Sequence, residues 1–212
     1  MIKKIKKGMV SLLVLFCATS SVACTKKEPL SQLEQVQKQL LEMEGYSTTA
    51  TLTRFSNKVE TVYETQQDVK ITGEYRLELT APDSVKGNYT LFDGERICQF
   101  NESLQSNIIH DVPESQSRNE LFLNCFIENY LKSEGVAVSA STLDESKCIV
   151  LEAVVPNNES TISFEKLWID SETLLPVRLS LYDTNNEERY RIDYNEFTYN
   201  PEFDESIFVI ME

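Results

Sequence analysis

The stretch VKITGEYRLEL, residues 69–79, alternates apolar and polar side chains: Val69, Ile71, Tyr75, Leu77 and Leu79 share one face, and Lys70, Thr72, Glu74, Arg76 and Glu78 the other. A period of two belongs to an extended chain with one face on a core and the other in water. The same period starts at Tyr46, runs to Phe100, and returns over residues 147–155, 161–170, 175–182 and 189–199. Many amphipathic strands separated by turns commit a chain to an antiparallel sheet. Gly73 falls on the apolar face and reads as a bend within one long strand. Asp93-Gly94 is a two-residue hairpin signal, and Pro156-Asn157-Asn158, Asp170-Ser171 and Asn185-Asn186 mark later turns. In the final strand Tyr190, Ile192 and Tyr194 are in phase while Phe197 and Tyr199 are out by one, which predicts a bulge near Asn195-Glu196.

Two segments break the period. In SQLEQVQKQLLEMEG, Leu33, Val36, Leu40 and Met43 recur at helical spacing, with Leu41 beside them. Ser31 and Glu34 form an S-x-x-E capping box, and Gly45 suits the left-handed position after the last turn. In SRNELFLNCFIENYLKSEG, Ser117 and Glu120 suggest a second capping box. Leu121, Phe122, Cys125, Phe126, Tyr130 and Leu131 then form a stripe that Leu123 and Ile127 widen. A helix apolar over so much of its circumference is expected against the sheet, buried on more than one side. Residues 101–116 carry weak signals and read as irregular.

The N-terminus is of another kind. MIKKIKKGMV is basic, and Met9–Ala18 is apolar apart from Ser11. That run is too short for a membrane span and has the form of a secretory signal. SVAC, Ser21 to Cys24, resembles the bacterial lipobox, with Ser21 where an aliphatic residue is usual; ordinary cleavage after Ala23 is the alternative. The expected organisation is a signal peptide over 1–23, a lipid-anchored linker over 24–30 with Cys24 diacylated, and one domain over 31–212. Two acyl chains on Cys24 hold stably where one holds marginally. Removing Lys3, Lys4, Lys6 and Lys7 from the 20 basic side chains leaves 16 against 34 acidic ones, a net charge near −18. Such a field excludes nucleic acid as a partner.

Little in the mature chain suggests bond-making. Cys98, Cys125 and Cys148 are in no metal-binding spacing, and His110 is the single histidine. The cysteines read as small buried hydrophobes, with one disulfide and a leftover thiol as the alternative. His110 beside Asp111 is the only base a hydrolytic triad could use, and it reads as part of a surface turn. No catalytic residue, metal ligand or cofactor is expected. Tyr190, Tyr194, Phe197 and Tyr199 either fill the core or line a lipid-binding concavity, and core is preferred.

LFDGERICQFN, and Trp168-Ile169-Asp170, Glu172-Thr173, Pro176, Tyr182-Asp183, Asn200-Pro201 and Phe208 in the C-terminal third, resemble the LolA-like family of exported lipoproteins and lipoprotein carriers. The resemblance implies an α+β fold: a strongly curved antiparallel sheet, a half-open barrel, with helices on its concave face. It also implies a non-catalytic, membrane-anchored role. The lysine-rich signal and Cys24 resemble the Gram-positive members, among them a spore-germination lipoprotein. That implies a cell-wall partner, an N-acetylmuramoyl-L-alanine amidase of the spore cortex, and placement on the extracytoplasmic membrane face, in the intermembrane space of the forming spore. Carriage of lipid or lipoprotein acyl chains is the alternative. The free sheet edge of a half-open barrel also invites strand exchange into a homodimer.

Overall fold

A computed structural model describes residues 30–56, 59–113, 119–156 and 162–211. The signal segment, Cys24 and the linker before Leu30 lie outside the described residues, as do Ser117 and Asn157-Asn158. Helix α1, Gln32–Leu41, opens with the expected capping box: the Ser31 hydroxyl accepts from the Glu34 N–H, and the Ser31 N–H donates to the Glu34 carboxylate at 2.7 Å. Val36 and Leu40 are buried on its inner stripe and Met43 just beyond its C-cap, each contributing about 1.5–3 kcal/mol on full burial. Leu41 is exposed.

The strands are β1 (Gly45–Phe55), β2 (Glu60–Lys70), β3 (Tyr75–Ala81), β4 (Tyr89–Phe92), β5 (Arg96–Asn101), β6 (Ser106–Asp111), β7 (Ala137–Leu143), β8 (Ser146–Val154), β9 (Phe164–Asp170), β10 (Pro176–Tyr182) and β11 (Glu188–Tyr199). All pairings are antiparallel, in the order β6-β5-β4-β3-β2-β1-β11-β10-β9-β8-β7. The chain winds outward from β1 to one edge, passes through helix α2 (Leu123–Lys132), and winds back from the opposite edge until β11 pairs with β1.

An eleven-stranded sheet laid flat would span about 48 Å at the usual strand spacing. Yet Phe92 on β4, Leu151 on β8 and both helices contribute to one core cluster. The sheet therefore curls around the helices without closing, since β6 and β7 remain its edges. Opposite this core, Leu91, Cys98 and Ile210 form a small second cluster. It is bordered by a C-terminal 3-10 turn, Glu205–Phe208, which lies against β3.

Several expectations are corrected. Gly73 is no bend in a long strand: at φ 116 it sits in the turn between β2 and β3, and Val69 faces Tyr75 across the hairpin. Folding back preserves the apolar face because both residues lie on it, so periodicity could not detect the reversal. Gly45 is not the α1 cap; it begins β1, where an added Cβ would lie 2.7 Å from the Val69 carbonyl oxygen and 2.9 Å from the Phe203 ring. Helix α2 starts with Phe122 at its N-cap, not at the Ser117–Glu120 box, because Asn119 forms a side-chain turn onto the Leu121 N–H that places Phe122 in the core. The stretch expected to be irregular contains β6, and β7 went unrecognised. At the Asp93-Gly94 hairpin the two loop residues are Gly94 and Glu95, with Asp93 accepting from the Glu95 and Arg96 N–H groups. The bulge falls where expected, at Asn195, which the β1 register skips.

Candidate functional site

Helix α2 stands between the sheet's curled face and the solvent. Leu123, Phe126 and Ile127 enter the core, and Phe122 lies 4.4 Å from Tyr75, ring centre to ring centre. Beneath them is a polar seam. The buried Tyr46 hydroxyl accepts from the Leu123 N–H at 3.3 Å and donates to Gln67 at 3.4 Å. Gln67 donates to Thr65, which donates to the Ala50 carbonyl. Farther along α2, the buried Asn129 amide donates to Glu120 at 2.9 Å and to Glu165 of β9 at 2.6 Å. Gln37 of α1 donates to the Tyr130 hydroxyl at 3.0 Å, tying the helices together.

Burial pushes the Tyr46 and Tyr194 hydroxyls far above the ordinary phenol range, so both remain neutral. A neutral Tyr46 can donate and accept at once, as the seam requires. The four aromatic residues of β11 pack on this core: Tyr46 stacks on Phe197, which meets Tyr194 and Tyr199 edge-on. They pack under the sheet, and none of them lines the groove beside α2.

A groove of about 940 Å³ remains between α2 and the tips of the β2–β3 and β4–β5 hairpins. Tyr75, Phe92, Phe122 and Ile127 supply apolar lining, and Thr72, Glu95, Asn119 and Glu128 add polar groups. This open, mixed surface suits contact with a peptide segment better than it suits the enclosure of an acyl chain.

His110 lies on edge strand β6, opposite Ile97, and is exposed, so it belongs to a strand and not to a turn. Cys98, Cys125 and Cys148 are buried thiols on β5, α2 and β8. Burial pushes the Cys98 and Cys148 thiols up, away from the reactive thiolate. Among the described residues no group of three or more His, Cys, Asp or Glu side chains could hold a metal ion, and no helix is long and apolar enough to cross a membrane. Cys24 lies outside the described residues. The sequence reading missed both sheet edges, where backbone groups face outward.

A family model described as sporulation protein YdcC-like matches residues 5–208. The chain belongs to the YdcC-like sporulation family. A direct search of curated proteins finds no match to this YdcC-like sequence. Among solved structures it resembles an uncharacterized conserved protein from Thermus thermophilus, at 12% identity and a TM-score of 0.52 over 85% of this chain and 93% of that one. It also resembles a chain of the CwlD amidase–GerS lipoprotein complex from Clostridioides difficile, at 25% identity and a TM-score of 0.49 over 82% and 99%. A LolA superfamily protein from Nitrosomonas europaea matches at 16% identity and 0.44 over 84% and 96%. The YdcC-like chain has the architecture that its hairpin and C-terminal motifs led one to expect: an open antiparallel sheet with, among the described residues, two α-helices.

Proposed function

We propose that this protein is a non-catalytic lipoprotein of the sporulation programme. Cys24 anchors it on the extracytoplasmic face of a membrane, in the intermembrane space of the forming spore. There it binds a protein partner, a spore-cortex N-acetylmuramoyl-L-alanine amidase that acts in germination. The reading draws on membership of a sporulation family, on the basic and apolar leader ending at Cys24, and on the family resemblance that names the amidase. The observation that carries it is the filled space under the sheet. Phe122, Leu123 and Phe126 are at most 1% exposed, and Tyr46, to which the Leu123 N–H donates, is 0% exposed. A domain whose concavity is occupied by its own helix acts through its surface.

The test is affinity capture of wild type and Cys24→Ser from sporulating cells, with intact-mass measurement of the captured chain. The expected result is a diacylated wild type in the membrane fraction, a soluble Cys24→Ser, and the amidase recovered with both in near-stoichiometric amount. Wild type recovered without amidase would overturn the partner assignment, and an unmodified N-terminus would overturn the anchor. The second reading is carriage of acyl chains, for which the apolar side of the groove beside α2, Tyr75, Phe92, Phe122 and Ile127, would be the place. Stoichiometric co-purifying lipid, with saturable uptake of a fluorescent fatty acid, would select it.

A further inference from the structure

Among the described residues, strand β7 is the outermost strand on its side of the sheet and pairs with β8 alone, through seven consecutive register positions from Ala137↔Glu152 to Leu143↔Ser146. Its sequence, AVSASTL, contains no charge, no proline and no bulge, and all of its residues but Leu143 are exposed. Natural sheets usually blunt an edge with lysine, proline or a bulge, because its unpaired amides would otherwise recruit another strand. The opposite edge shows such devices: β6 ends on Asp111, and Pro113 follows two residues later. On β7 none is present.

The turn that closes the β7–β8 hairpin identifies the groups on offer. Asp144 (φ 47) and Glu145 (φ 73) form a two-residue turn of the primed kind, which makes Leu143 and Ser146 the closing hydrogen-bonded pair. Inward bonding alternates along an antiparallel ladder. The N–H and C=O groups of Val138, Ala140 and Thr142 therefore face outward, toward no strand among the described residues. Small side chains on both faces leave room for the side chains of an added strand.

Charge selects the occupant. Exposed Glu134 stands before β7 and exposed Asp144 and Glu145 after it, with Lys147 on β8 offsetting one of the three. In an antiparallel self-pair, Glu134 of one copy would approach Asp144 and Glu145 of the other. In a parallel self-pair each acid would meet its own image. The whole chain also carries a net charge of −14. A second copy is therefore repelled at both ends, whereas an extended segment with basic residues at its ends is attracted.

We infer that β7 is a strand-addition site for an extended, uncharged segment of a partner protein flanked on both sides by lysine or arginine. This rests on the partner-binding reading and adds to it the surface and the complementary sequence type.

The test uses the mature chain from residue 24 with Cys24→Ser, titrated by NMR with the peptides KKTVTVTKK and EETVTVTEE. The lysine-flanked peptide is expected to shift the Val138, Ala140 and Thr142 amides saturably and slow their hydrogen exchange. The glutamate-flanked peptide is expected to bind about fivefold more weakly, or less. Ala140→Pro deletes one outward N–H without touching the β8 ladder, and is expected to weaken binding at least about tenfold. Glu134→Gln with Asp144→Asn leaves every backbone group in place and is expected to erase the preference between the peptides, so the test survives even if Ala140→Pro does not fold. Absence of binding, shifts confined to other strands, or equal affinity for both peptides would overturn the inference. A concentration-dependent dimer abolished by Ala140→Pro would assign the edge to a second copy and overturn the partner. If the amidase is captured by wild type and Ala140→Pro alike while neither peptide binds, the edge is idle and the partner-binding reading stands; loss of capture by wild type itself removes that reading.

Discussion

Replacing Phe122 with alanine takes a ring out of the place where α2 meets the sheet. The side chain is 1% exposed and its ring centre lies 4.4 Å from that of Tyr75. Truncating a buried phenylalanine costs about 3–5 kcal/mol, and the aromatic contact adds about 0.5–1.5 kcal/mol to what its area alone would give. A loss near 4 kcal/mol is expected, which for a domain of this size lowers Tm by about 8–16 °C. Urea unfolding at pH 7 measures it, with an unchanged m-value showing that the native state has kept its compactness. Phe122 also lines the groove beside α2, so its removal extends that groove inward. The variant is therefore expected to take up a fluorescent fatty acid that wild type does not. A loss below about 1.5 kcal/mol would mean that neighbours collapse into the space and that the ring is no plug. Equal fatty-acid binding by wild type would mean that the concavity was already open. Either result refutes the reasoning.

Two further outcomes are expected. The Asp183 carboxylate accepts from the Glu187 and Asn185 N–H groups and from Arg189, and these bonds, the Glu187 N–H foremost, hold its pKa below the ordinary carboxylate value. A depressed folded pKa stabilises above the unfolded value, about 3.9, and that contribution is lost as pH falls through the folded value. The stability difference between wild type and Asp183→Asn, followed by chemical unfolding from pH 7 to pH 3, should therefore shrink on acidification; a constant difference would contradict this. Asn129→Ala removes the amide that reaches Glu120 and Glu165, and should cost about 1–3 kcal/mol and speed amide exchange along α2 ahead of the central strands. Unchanged exchange would show that the seam does not hold the helix.

What could be read in advance follows burial. An interior strand such as β9 has one face on the core and so carries an alternating pattern. The Ser31–Glu34 capping box is a local contact, complete within four residues, and it formed as expected. The Asn195 bulge announced itself through the phase slip between Tyr194 and Phe197. Of the surfaces argued to matter here, only Phe122 and its neighbours were visible beforehand, as an unusually wide apolar stripe. The β6 and β7 edges were not, because a strand exposed on both faces has no reason to alternate: five of the six β6 residues are exposed, as are six of the seven in β7.

The amino-acid sequence alone determined that this chain makes an antiparallel sheet and amphipathic helices, and it set the expectations of an export signal and of no nucleic-acid partner. These follow from spacing and composition, which act over a few residues or over the chain as a whole. Only the tertiary structure decided that β1 and β11 close the middle of the sheet, that α2 occupies the concavity, and that β6 and β7 are left as its edges. Those outcomes depend on which distant surfaces meet, as Tyr46 meets Leu123 and Asn129 meets Glu165, and no local pattern encodes such meetings.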